Sequence, residues 1–118
     1  MRLVSQETSL AFTTSKRGSM IRFYRSATIA PGKMTGAMTF AREVAKYVKD
    51  HTGVDVYIGM PIGGNPHRIG WSAQYPTLAA YDEMATKLLA DGKYQEMVSM
   101  AANNFVADTT RDELWRVL

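Results

Sequence analysis

Two hydrophobic periods meet at Gly53, and that junction restricts the fold more than any other feature of the sequence. From Lys33 to about His51 the apolar residues Met34, Ala37, Met38, Ala41, Val44, Ala45 and Val48 recur at spacings of three and four. Arg42, Glu43, Lys46, Lys49 and Asp50 fall opposite them. This is the pattern of an amphipathic helix closed by glycine. Directly after it, Val54, Val56, Ile58 and Met60 alternate with Asp55, Tyr57 and Gly59, the period of two of a half-buried strand. Pro61 cannot donate to a sheet ladder, so this strand belongs at an edge.

Turn signals divide the rest of the chain. Residues 20 to 30 are rich in β-branched and aromatic types and stop at Pro31-Gly32, which reads as the first strand. Gly63-Gly64-Asn65-Pro66 is the strongest turn signal, and beyond it Ile69, Trp71, Ala73 and Tyr75 alternate with Gly70, Ser72 and Gln74. The second and third strands therefore form a hairpin. Thr77 suits the N-cap of a second helix carrying Leu78, Tyr81, Ala85, Leu88 and Leu89, which pauses at Asp91-Gly92. A short further helical piece carries Tyr94, Met97, Val98 and Ala101, and Asp112 to Leu118 alternates well enough for a closing strand. The order β-α-β-β-α-β predicts a ferredoxin-like α+β domain over residues 20–118, with a four-stranded antiparallel sheet and two helices on one face.

Residues 1–19 precede a complete unit and are expected to form an N-terminal arm lying across the sheet edge or a partner subunit. They also hold much of the charge. Arg2, Lys16 and Arg17 against Glu7 account for +2 of the net +3, leaving the body at +1. A nearly neutral body argues against a nucleic-acid partner. The 118 residues include no cysteine, which removes disulfides, thiolate nucleophiles and Cys-ligated zinc. Two histidines sixteen residues apart match no common metal-ligand spacing, so no metal is expected. No apolar run approaches the roughly 20 residues of a membrane span, and the N-terminus lacks the apolar stretch of a signal peptide. No membrane partner is therefore expected, and cytoplasm is the default compartment.

Alternation sorts the strand residues onto two faces. Ile21, Phe23, Ala27, Ile29, Ile69, Trp71, Ala73 and Tyr75 go toward the helices, and Arg22, Tyr24, Tyr57 and Arg68 go away from them. A sheet face carrying two tyrosines and two arginines is too polar for core and too aromatic for plain surface. It reads as the interface of a homodimer.

Several stretches resemble the dimeric α+β barrel superfamily, and within it the NIPSNAP-like group. They are Ile29-Ala30-Pro31-Gly32-Lys33, Gly63-Gly64-Asn65, Tyr75-Pro76-Thr77-Leu78 and, most closely, Leu88-Leu89-Ala90-Asp91-Gly92-Lys93-Tyr94-Gln95-Glu96. Counted back from Tyr75, Ala73 fills the group's strand-3 tryptophan position, and His67 falls at its hairpin asparagine. The resemblance implies two sheets packed face to face as a dimer. The superfamily includes cofactor-free monooxygenases, isomerases, haem enzymes and proteins without known activity, so the fold leaves the reaction open.

Arg25 breaks its own pattern, since it falls among the core-facing residues of the first strand and needs a carboxylate or an anionic ligand there. His67 lies in the Gly- and Pro-rich hairpin, where a histidine can do acid–base work or simply be solvated. Trp71, Tyr75 and Tyr81 fall at strand and helix spacings that suit either core or the wall of a pocket. Arg25, His67, Trp71, Tyr75 and Tyr81 are thus the candidate ligand-binding set, and no catalytic constellation can be assembled with specificity. Two functions remain. One is binding or conversion of a small organic molecule without metal or nucleotide cofactor; the other is a non-catalytic dimeric interaction module.

Overall fold

A computed structural model describes residues 20–118. The expected N-terminal arm, residues 1–19, lies outside the described residues. Strand β1 spans Ile21–Thr28, helix α1 Met34–Thr52, strand β2 Tyr57–Gly59 and strand β3 Arg68–Tyr75. Helix α2 follows at Leu78–Leu89 and helix α3 at Gly92–Met100. A 3-10 turn at Ala102–Asn104 precedes strand β4 at Arg111–Arg116. The sheet order is β2-β3-β1-β4 with every pair antiparallel, so β1 is central and β2 lies at an edge. This is the ferredoxin-like arrangement that the two hydrophobic periods predict.

Three helices stand where the six-element pattern has two, because the second helical region divides at Ala90-Asp91. Asp91 is the cause. Its Oδ1 accepts the Tyr94 N–H at 3.0 Å, capping α3, while its Oδ2 accepts the Tyr47 hydroxyl of α1 at 2.7 Å. The same side chain thus starts a helix and ties it to another. Gly53 ends α1 in the left-handed region at φ 78°, where its N–H reaches the Lys49 carbonyl. Thr77 caps α2 through a bond from the Ala80 N–H at 3.0 Å.

Strand β2 has only three ladder residues, although the alternation runs over seven. Val54 packs against the cluster of Ile21, Ala73 and Tyr75 and Val56 against the main core, without joining the ladder. Alternation reports burial rather than hydrogen bonding, and here the two part company.

The main core joins Ala27 of β1 and Ile29 just beyond its end, Ile69 and Trp71 of β3, and Ala37, Ala41 and Val44 of α1. A smaller cluster of Ile21, Ala73 and Tyr75 receives Phe23, Tyr81 and Met84. After α3 the chain returns beside the end of β1: Ala30 N–H donates to Asn104 O, Val106 N–H donates to Thr28 O, and Ile29 bridges Phe105. These bonds seat Phe105 against Phe40 and Trp71, with ring centroids 5.8 and 6.0 Å apart.

The hydroxyl of Tyr47 and the capped N–H groups of Tyr94 and Lys93 hold the Asp91 carboxyl below its ordinary range. A carboxyl depressed in the folded state contributes stability above its unfolded value, and that contribution disappears as pH falls through the folded value. Asparagine remains a good N-cap but cannot carry the charge. Asp91→Asn should therefore lower Tm at pH 7, and the difference should shrink as pH falls through the carboxyl's folded value, which lies below its ordinary one. Thermal unfolding of both proteins across this pH range measures it.

Candidate functional site

The register of the sheet sets four residues of the helix-facing surface in one row. Ile58 stands opposite Trp71, Trp71 opposite Arg25, and Arg25 opposite Asp112. Above this row lies a cavity of about 190 Å³ between the sheet and the helices. Phe23, Arg25, Ala27, Trp71 and Tyr75 contribute from the strands, and Phe40, Val44 and Val48 from α1. Tyr94 and Val98 of α3 and Phe105 close the remaining sides.

Arg25 finds its partner within the chain. Its Nε and Nη2 donate to Asp112 Oδ1 and Oδ2 at 2.7 and 2.8 Å, a two-pronged pair that matches the planar guanidinium to the carboxylate. The bond to Asp112 holds the guanidinium more firmly protonated than usual, against the opposing effect of burial, with a smaller contribution from Tyr94. The pair keeps access to water, with side chains 38% and 44% exposed. An anionic ligand is not needed to explain an arginine on this face.

Trp71 is 8% exposed, and its Nε1 is a buried donor with no acceptor among the described residues. Phe40 and Phe105 meet its ring edge to face at 6.1 and 6.0 Å. Tyr75 is buried as well, and that burial, followed by the nearby Tyr81 and Tyr94, pushes its phenol above the ordinary value.

Of the five ligand-binding candidates, the geometry brings Arg25, Trp71 and Tyr75 onto the cavity wall. Tyr81 stands behind it, packed on Phe23 and Tyr75 with ring centroids 5.6 and 5.4 Å apart. His67 is exposed in the β2–β3 hairpin, its backbone N–H held by Asn65 Oδ1 at 2.9 Å and its carbonyl accepting Ile29 N–H at 2.6 Å. Sequence reasoning passed over Phe40, Tyr94, Phe105 and Asp112 as site residues. Phe40 lies four positions before Val44 and could have been found by helical spacing. Phe105 is a lone aromatic in a polar stretch and gives no periodic signal.

The opposite face of the sheet is exposed. Tyr24, Tyr57 and Arg68 line an open groove of about 460 Å³, and Arg68 Nη2 donates to Ser26 Oγ at 2.9 Å. Arg22 borders an adjoining hollow with Tyr24 and Trp115. Trp115, 57% exposed, was also missed, because the closing strand was too short to be assigned a face. Among the described residues no group of three or more potential ligands is placed to hold a metal ion, and no helix is long and apolar enough to cross a membrane.

No protein-family model matches the sequence, and no curated protein matches it. Solved structures do share the fold. A NIPSNAP family protein from Agrobacterium tumefaciens superposes with a TM-score of 0.72 at 16% identity, over 89% of this chain and 91% of that one. A NIPSNAP-like domain protein from Burkholderia xenovorans gives 0.72 at 13% identity, over 86% and 88%. A candidate antibiotic biosynthesis monooxygenase from Nitrosomonas europaea gives 0.67 at 14% identity, over 89% and 96%. The chain therefore shares the ferredoxin-like α+β fold of these proteins, and at these identities the likeness is one of fold.

Because Arg25 and Asp112 both reach water, their attraction is largely screened. A double-mutant cycle of Arg25→Leu and Asp112→Ala should give a coupling of about 0.5–1 kcal/mol from urea midpoints. Arg25→Leu alone should fold with stability within about 1 kcal/mol of the wild type. A coupling of several kcal/mol would show that the pair is desolvated.

Proposed function

We propose that the protein is a homodimer whose protomers each bind a small organic molecule in the cavity between sheet and helices, with no metal or nucleotide cofactor. The cavity carries this reading. It is walled mainly by aromatic and aliphatic side chains, with polar residues Arg25, Ser72 and Thr110 and the polar ends of Trp71, Tyr75 and Tyr94 among them, the composition typical of small-molecule sites. A thermal-shift screen of small neutral and acidic organic compounds should raise Tm by several degrees for compounds that fit. Val98→Phe, which adds bulk to the α3 wall, should remove that response. A screen in which nothing raises Tm would sink the reading.

The dimer is supported by the outer sheet face. Tyr24, Tyr57 and Trp115 expose 40%, 61% and 57% of their surface there, alongside Arg22 and Arg68. Such residues bury much area while keeping a polar end, which suits an interface. Light scattering should give about twice the 13.1 kDa protomer mass at micromolar concentration. The double variant Tyr24→Glu, Trp115→Glu should shift the mass toward the monomer, since two like charges would meet across a two-fold interface. A non-catalytic interaction module draws on this outer face alone, and the ligand screen separates it from the binding reading.

A further inference from the structure

We propose that the cavity takes a compact neutral molecule whose hydrogen-bond acceptor meets the Arg25 guanidinium at the cavity rim, and that Asp112 sets this preference by excluding anions. The proposal rests on the small-molecule reading above and gives it a ligand class and a residue that determines selectivity.

Size comes first. An apolar cavity of about 150 Å³ is known to hold benzene. The cavity here, about 190 Å³, has room for one ring and a short substituent and not for three fused rings. Its inner wall is dry, since Ala27, Trp71, Ala73 and Tyr75 are all buried. An apolar body belongs there.

The acceptor follows from Arg25. This residue lines the same cavity, but its side chain keeps access to water, so it stands where the cavity meets solvent. Two other wall residues locate its charged end. The guanidinium carbon lies 5.5 Å from the centroid of the Phe23 ring. After the dominant bond to Asp112, the Tyr94 hydroxyl adds to the hold on the guanidinium proton, which sets that hydroxyl beside it. Phe23 and Tyr94 both border the cavity. A guanidinium has five N–H donors. Nε and Nη2 give one each to Asp112, and Nη1 makes no hydrogen bond among the described residues. A carbonyl or similar acceptor on the guest would receive a charge-assisted bond here, stronger than one from a neutral donor.

Neutrality follows from Asp112. Its two oxygens are held against the guanidinium at 2.7 and 2.8 Å, so the rim carries a cation and an anion side by side. A carboxylate guest reaching for Arg25 would give up its hydration and meet the fixed charge of Asp112. A neutral acceptor takes the same N–H without that repulsion. Asparagine at this position would keep an oxygen for the guanidinium and remove the charge.

Four probes test the proposal on the full chain, with dissociation constants from NMR titration: acetophenone, its hydrocarbon isostere α-methylstyrene, benzoate and 9-acetylanthracene. The wild type should bind acetophenone more tightly than benzoate or 9-acetylanthracene. In Arg25→Leu the preference for acetophenone over α-methylstyrene should fall about tenfold, the scale of a lost bond to a charged donor. In Asp112→Asn benzoate should gain about tenfold relative to acetophenone, a change that a merely structural role for Asp112 would not produce. An unchanged preference in Arg25→Leu overturns the acceptor assignment, and no gain for benzoate in Asp112→Asn overturns the role of Asp112. Tighter binding of benzoate or of 9-acetylanthracene by the wild type overturns the neutral or the single-ring assignment. In each of these cases the broader binding reading stands. Failure of all four to bind overturns the proposal, and the broader reading then falls only if the thermal-shift screen is also blank. Should either variant not fold, nitrogen-15 spectra of the wild type decide. Acetophenone should move the Arg25 Nε resonance and α-methylstyrene should leave it in place; no movement with acetophenone overturns the proposal.

Discussion

The two-sided pairing of β1 is the constraint on which the site depends. Because β3 and β4 both run antiparallel to it, one residue, Arg25, lies opposite Trp71 on one side and Asp112 on the other. Shift either ladder by one residue and the row dissolves, since the alternate residues point to the opposite surface. The buried indole, the charged pair and the apolar Ile58 are therefore consequences of a single register. No loop is needed to bring them together.

The helices complete what the register begins. Ala37 and Ala41 are fully buried, and their small side chains let α1 approach the sheet closely over β1 and β3. The larger Phe40, Val44 and Val48 of the same helix line the cavity. The third side of that space comes from α3, whose start is fixed by Asp91 and linked to α1 by the Tyr47 hydroxyl. A continuous helix across residues 90–91 would not present Tyr94 and Val98 in the same way. The break that divides α2 from α3 thus belongs to the construction of the cavity.

Much of this was legible in the residues. Period three-to-four against period two located α1, β2 and β3, Gly53 and Thr77 marked helix ends, and Pro61 assigned β2 to an edge. Those signals are local, and local geometry enforces them. Arg25 was legible as a misfit, but its partner was not, because Asp112 lies 87 residues away and only the β1–β4 ladder brings them together. Phe105 was hidden for a similar reason: it is placed by backbone bonds to the end of β1 rather than by any periodic face of its own. The length of β2 was overestimated because packing extends the alternation past the ladder.

Along β1 the residues serving the two surfaces alternate one by one. Phe23, Arg25 and Ala27 border the cavity, while Arg22, Tyr24 and Ser26 belong to the outer face. Point substitutions can therefore revise one surface with little direct contact with the other, so the two are free to diverge along a lineage at different rates. An in-frame insertion or deletion of one codon within β1 has the opposite character. It would exchange the two sets over part of the strand, so both surfaces share a common intolerance to changes in length while remaining separately tolerant of changes in identity.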